Sequence, residues 1–81
     1  MSAGLFWEPH GVVRRYWGHL TPAEWEESLE EMCSDSRYDS LRYEIADFSR
    51  VSSHSVSPQD VERAVPALQE ASRINPGVTK I

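Results

Sequence analysis

Leu41-Arg42-Tyr43-Glu44-Ile45-Ala46-Asp47-Phe48, then Ser49-Arg50-Val51-Ser52-Ser53-His54-Ser55-Val56-Ser57, then Pro58-Gln59-Asp60 is the stretch that decides how this chain folds. The first eight residues contain no long polar run, the pattern of a strand with a neighbour on each side, so they predict a central strand ending near Asp47. The next nine hold five serines and one histidine and read as a polar loop. Ser57-Pro58-Gln59-Asp60 then starts a helix: a hydroxyl to cap the free amides, proline at the first helical position and an acid three residues on.

Working outward toward the C-terminus, Val61, Ala64, Val65, Leu68 and Ala71 or Ser72 recur at helical spacing as a buried stripe. Pro66 falls inside that helix. It removes the bond to the Glu62 carbonyl, so a bend or two shorter pieces are expected. Asn75-Pro76-Gly77 ends the helix, and Val78 to Ile81 is read as a last short strand.

Toward the N-terminus, Thr21-Pro22-Ala23-Glu24 is a second helix start, with Glu24 placed to complete a capping box. Trp25, Leu29, Met32 and Cys33 share one face, Glu26, Glu27, Glu30 and Glu31 the other, and Ser34-Asp35-Ser36 closes the helix. Leu5 to Glu8 and Val12 to Trp17 flank Pro9-His10-Gly11 and form a hairpin, ending at Gly18. The order is therefore β-β-α-β-α-β in one domain over residues 1–81. It is an α/β (α+β) mixed sheet, with helices packed on it and parallel pairing among the later strands.

Composition narrows function mainly by exclusion. The net charge of −5 disfavours nucleic acid as a partner, since phosphate binding runs on clustered positive charge. Arg14 and Arg15 stand on adjacent strand positions and point to opposite faces, so they form no single patch, and an ion pair with the glutamate-rich helix is the expected use of one of them. The lone Cys33 forms no internal disulfide, no apolar run reaches the ~20 residues of a spanning helix, and the N-terminus lacks a signal-peptide pattern. A cytoplasmic setting follows as the expectation. His10, His19 and His54 have no metal-ligand spacing, the glycines stand singly, and no nucleophile elbow is present. Hence no catalytic residue, metal or cofactor is assigned. All eight aromatic residues precede residue 49, and the C-terminal third has none, as in a chain that uses a partner's surface to complete its core.

The place with chemical promise is the end of the central strand. Asp47, Ser49, Ser52, Ser53, His54 and Ser55 form a candidate interaction loop, at the carboxyl end of a strand where α/β folds place their sites. Ser57, at the positive end of a helix dipole, is a candidate phosphorylation switch or simply a cap.

The stretches Gly11-Val12-Val13, Tyr16-Trp17-Gly18-His19-Leu20-Thr21, Ser36-Arg37-Tyr38-Asp39-Ser40-Leu41-Arg42-Tyr43 and Ile45-Ala46-Asp47-Phe48-Ser49-Arg50-Val51, with Asn75-Pro76 before the final strand, resemble the SpoIIAA-like branch of the STAS domain family. These are relatives of bacterial anti-sigma-factor antagonists. The resemblance implies a STAS-like fold without catalytic activity, acting as a protein-interaction or regulatory module. In classical antagonists a kinase that is also the anti-sigma factor phosphorylates a serine at the position of Ser57. The classical Asp-Ser-Ser-Gly run reads Ser55-Val56-Ser57-Pro58 here, without the acid and the glycine. Family members continue with a further helix, strand and helix, so the expectation is a shortened domain with an uncovered sheet edge. Such a chain would need a second copy as its homodimer partner, or it is a truncated gene product; a kinase- or anti-sigma-like protein is the other partner the resemblance implies. An alternative is an apolar-ligand or membrane-surface (lipid) binding protein using Phe6, Trp7, Trp17 and Trp25.

Overall fold

A computed structural model describes residues 2–81. Strand β1 (Ala3–Trp7) turns through Pro9-His10 into β2 (Gly11–Leu20), the turn being closed by the Glu8 amide donating to the Gly11 carbonyl at 2.8 Å. Helix α1 (Pro22–Ser34) and a 3-10 turn (Ser36–Ser40) lead to β3 (Tyr43–His54), then α2 (Pro58–Ile74) and β4 (Thr79–Lys80). The four strands form one sheet in the order β1-β2-β3-β4. The first pair is antiparallel and the other two are parallel, as the sequence order predicts. Tyr43 to Ala46 is central, with β2 on one side and the final segment on the other, where the Ala46 amide donates to the Ile81 carbonyl at 2.9 Å.

The helices cover one sheet face. Val12, Leu29, Met32, Tyr38, Leu41, Ala64 and Ala71 form the main core beneath them, and Ala3, Tyr16 and Leu20 form a second cluster. Directly paired residues share a face. Phe6, Val13 and Ile45, joined by the register, therefore lie on the opposite face, which no helix among the described residues covers.

Several expectations are corrected. The third strand begins at Tyr43 and runs on to His54, so most of the serine-rich segment is strand. The cause is the length of β2, which continues through Gly18 to Leu20 and supplies backbone partners as far as His54. Gly18 does not end that strand: it adopts φ +66° where the register shifts, a conformation open to glycine at no steric cost. Helix α2 is one continuous helix of 17 residues, with Pro66 inside it rather than dividing it. Val61 and Val65 are exposed, because only the Ala64 and Ala71 side of α2 meets the core. At α1, Thr21 accepts from the Glu24 amide at 3.3 Å, but Glu24 does not return the bond. Its side chain turns instead toward β1, beside Glu27 and Glu31.

Arg14 and Arg15 do point to opposite faces, but neither pairs with α1. Arg14 is buried under the helices, 3.8 Å from Glu44, and donates to the Tyr16 hydroxyl at 3.1 Å. The Tyr16 oxygen in turn lies 2.5 Å from Ser28 Oγ, and Tyr38 donates to Glu44 at 3.0 Å. Parallel pairing of β2 with β3, Val12 opposite Glu44 and Arg14 opposite Ala46, is what brings acid and base together.

Candidate functional site

Where β3 ends and α2 begins, the chain leaves an open groove of about 670 Å³. Phe48, Val51 and His54 of β3 form one wall. Leu20 at the end of β2 and Trp25 of α1 form the floor, and Val56, Ser57, Pro58 and Val61 form the far rim. The lining is mostly apolar. Phe48 stacks on the buried Tyr16 ring, with centroids 4.9 Å apart and planes 7° from parallel, yet 46% of it stays exposed. Val61 on the opposite rim is equally exposed.

Ser57 caps α2 through a complete reciprocal box. Its hydroxyl donates to Asp60 Oδ2 at 2.9 Å and accepts from the Asp60 amide at 3.2 Å, while its own amide donates to the same Oδ2 at 2.7 Å. Asp60 is buried, and Arg63 bonds to its other oxygen while lying 3.8 Å from Glu26 of α1. A phosphoryl group on Ser57 would meet the positive helix end and Arg63, but would also break the box and stand beside the Asp60 carboxylate.

The predicted interaction loop does not act as one unit. Asp47 sits on the helix-free face opposite Arg15, 3.8 Å from its guanidinium. Hydrogen bonds from the Ser49 hydroxyl at 2.6 Å and the Ser49 amide at 2.9 Å hold the Asp47 carboxyl below its usual range, with Arg15 and Arg50 adding to the effect. Ser53 pairs with His19, Oγ to Nδ1 2.8 Å, while Ser52 and Ser55 are exposed. His54 alone of this group lines the groove, next to Ser57. The reason is the alternation of an extended strand, which sends neighbouring side chains to opposite faces.

The four candidate aromatics are likewise dispersed. Trp25 lines the groove. Trp7 packs against the main core with the Arg37 guanidinium 4.0 Å above its ring. Phe6 lies on the helix-free face under Arg15 at 4.9 Å, and Trp17 approaches the same face beside Gly4. The groove walls Leu20, Phe48, Val51, Val56 and Val61 were not assigned from sequence. Only Val51 and Val56, the apolar residues that interrupt the serine-rich run, carried any signal there; Leu20, Phe48 and Val61 come from elements that meet only in the fold. Cys33 is half-buried, and desolvation pushes its thiol pKa up, with the Glu44 charge adding to that. No helix is long and apolar enough to cross a membrane among the described residues.

In a comparison of structures the chain matches the Bacillus cell fate determinant SpoIIAA in its phosphorylated form, with a TM-score of 0.66 and 19% sequence identity, covering 98% of this chain and 69% of that one. The protein has a SpoIIAA-like fold. No protein-family model matches the sequence. No curated protein matches it either.

Proposed function

We propose that this chain is a non-enzymatic interaction module, a single STAS-like domain that works in the cytoplasm and presents the rim between β3 and α2 to a protein partner. Ser57 is the residue at which a kinase-like, anti-sigma-type partner acts. The observation that carries this reading is the position of the Ser57 hydroxyl, at the N-terminus of α2 and on the rim of an open apolar groove. The SpoIIAA-like fold supports it, the matched structure being of a phosphorylated form. Incubation with labelled ATP and an extract of the source cells should label the wild-type chain. Ser57→Asn keeps a capping side chain and should not label. Label that persists in Ser57→Asn overturns the assignment.

The groove favours a second reading, an apolar small molecule or lipid as the ligand. Its volume of about 670 Å³ is within the range of small-molecule sites. Of the proposed aromatics, Trp25 is the one placed to report it. Fatty acid or lipid vesicles should change the emission of wild type and leave Trp25→Phe unchanged; no change in either protein removes this reading.

A further inference from the structure

The acids of this chain are concentrated on its helices. α1 carries five glutamates and no basic residue, and α2 carries three acids against two arginines. The two helices thus hold more than the whole net charge of −5, and the strands and turns are slightly positive. Both helices connect strands of the parallel set, so they run side by side in the same direction. Their starts meet where Arg63 lies 3.8 Å from Glu26. Their carboxyl ends, each with the partial negative charge of a helix terminus, fall at the opposite end, and the last turn of α1 has no basic residue to offset it.

Between α1 and α2 lies a mostly apolar cleft of about 430 Å³, which shares no residue with the groove beside Ser57. Leu29, Ala64 and Ala71 of the main core form its floor, with the half-buried Cys33 beside them. Glu26, Glu30 and Glu70 stand on its rims. All of its lining residues fall between 26 and 74, so α1 and α2 alone give it its shape. Ala64, Ala67 and Ala71 leave that side of α2 without bulk, which lets another element approach closely.

We propose that the α1–α2 cleft is a docking site for an amphipathic helix of a partner protein, whose apolar stripe fills the cleft and whose flanking lysines or arginines meet Glu26 and Glu30. Charge selects this occupant. Glu26 Oε1 is shielded from solvent and accepts no hydrogen bond, and Glu30 has no cation within 4.0 Å among the described residues. Both carboxylates are thus open to an incoming donor. A second copy would set one acidic helix layer against another, and an anionic membrane surface would be repelled in the same way. A helix laid in a cleft between two helices offers side chains at i, i+3, i+4 and i+7 to the floor and its flanks to the rims.

The test is to pan the full chain against displayed peptides of roughly 18 residues, long enough to hold a helix, with leucine fixed at i, i+3, i+4 and i+7 and every flanking position random. The expected result is enrichment of lysine and arginine in the flanks. A selected peptide should bind about tenfold more weakly to Glu30→Lys, which reverses a rim charge, and to Ala67→Gln, which fills the cleft without changing charge. Both residues are exposed, so neither substitution disturbs folding. Cys33 is the single cysteine and lines the cleft, so its alkylation reports on this place alone. Peptide at ten times its Kd should slow that reaction about tenfold. Neutral or acidic flanks, no selected peptide, or binding that leaves Cys33 unprotected overturns the proposal. A Cys33 that reacts in urea but not in the folded chain, or is protected as the protein concentration rises, also overturns it, because the cleft is then filled without a partner helix. Ser57 labelling reports on the other groove, so the switch and this docking site fail separately.

Discussion

The Ser57 hydroxyl donates to the Asp60 carboxylate and accepts from the Asp60 amide, so both of its hydrogen-bonding functions are engaged. Removing it separates the cap from any switch. Ser57→Ala should lower unfolding free energy by about 1 kcal/mol, and Ser57→Asn by no more than a few tenths, measured by urea denaturation. Asp35 gives a second residue-scale expectation. Its carboxylate accepts from the Arg37 side chain at 3.0 and 2.8 Å and from the Arg37 amide at 2.9 Å, in that order of effect, and its pKa is held at about 2. The folded value is below the unfolded one. The stabilisation is therefore complete above the ordinary carboxylate range and fades as the pH falls toward 2. Asp35→Asn should be less stable than wild type at about pH 5, and the difference should close near pH 2 in urea titrations. The Ser57 cap was legible in sequence because capping is local, a side chain and an amide three residues apart, whereas Asp35 reads only as part of the stretch that ends the first helix. The partner of Arg14 was not legible, because Glu44 reaches it only through the parallel register of two distant strands.

At the level of elements, β3 joins two environments. Its first half crosses the core, where Glu44 is 3% exposed and Arg14 8%. Its second half carries exposed serines past the groove. Losing one member of the buried ion pair strands the other charge, so Glu44→Gln should cost about 3 kcal/mol. Replacing both, Arg14→Met with Glu44→Leu, should recover most of that loss in the same denaturation assay. A double variant as unstable as Glu44→Gln would show that the cost is packing rather than charge. The existence and order of the elements followed from punctuation and periodicity. The run from Ser49 to His54 did not, because serine is a poor strand signal by composition, and what makes these residues a strand is β2 alongside them. The register shifts opposite Trp17 and Gly18 also erase the simple alternation that a sequence reading looks for.

Across the whole molecule the helices lie on one side of the sheet, and the far side bears Phe6, 46% exposed, and Trp17, 40% exposed. The sequence order predicted this mixed sheet, and the SpoIIAA-like match agrees with it. Which apolar residues would line the groove was not readable, since it is assembled from four elements that meet only after folding. Helix α2 is the least anchored of them. Its two fully buried apolar contacts are alanines, Pro66 removes an internal hydrogen bond, and Val61, Val65 and Ile74 face solvent. It is secured chiefly at its ends, by the Ser57–Asp60 box and by Asn75, whose side-chain amide donates to the Tyr38 and Leu41 carbonyls at 2.9 and 2.8 Å. A segment pinned at both ends and light in the middle forms its own cooperative unit, opening and closing many times for each global unfolding event. Its backbone hydrogens should therefore exchange with solvent deuterium together, and before those of β2.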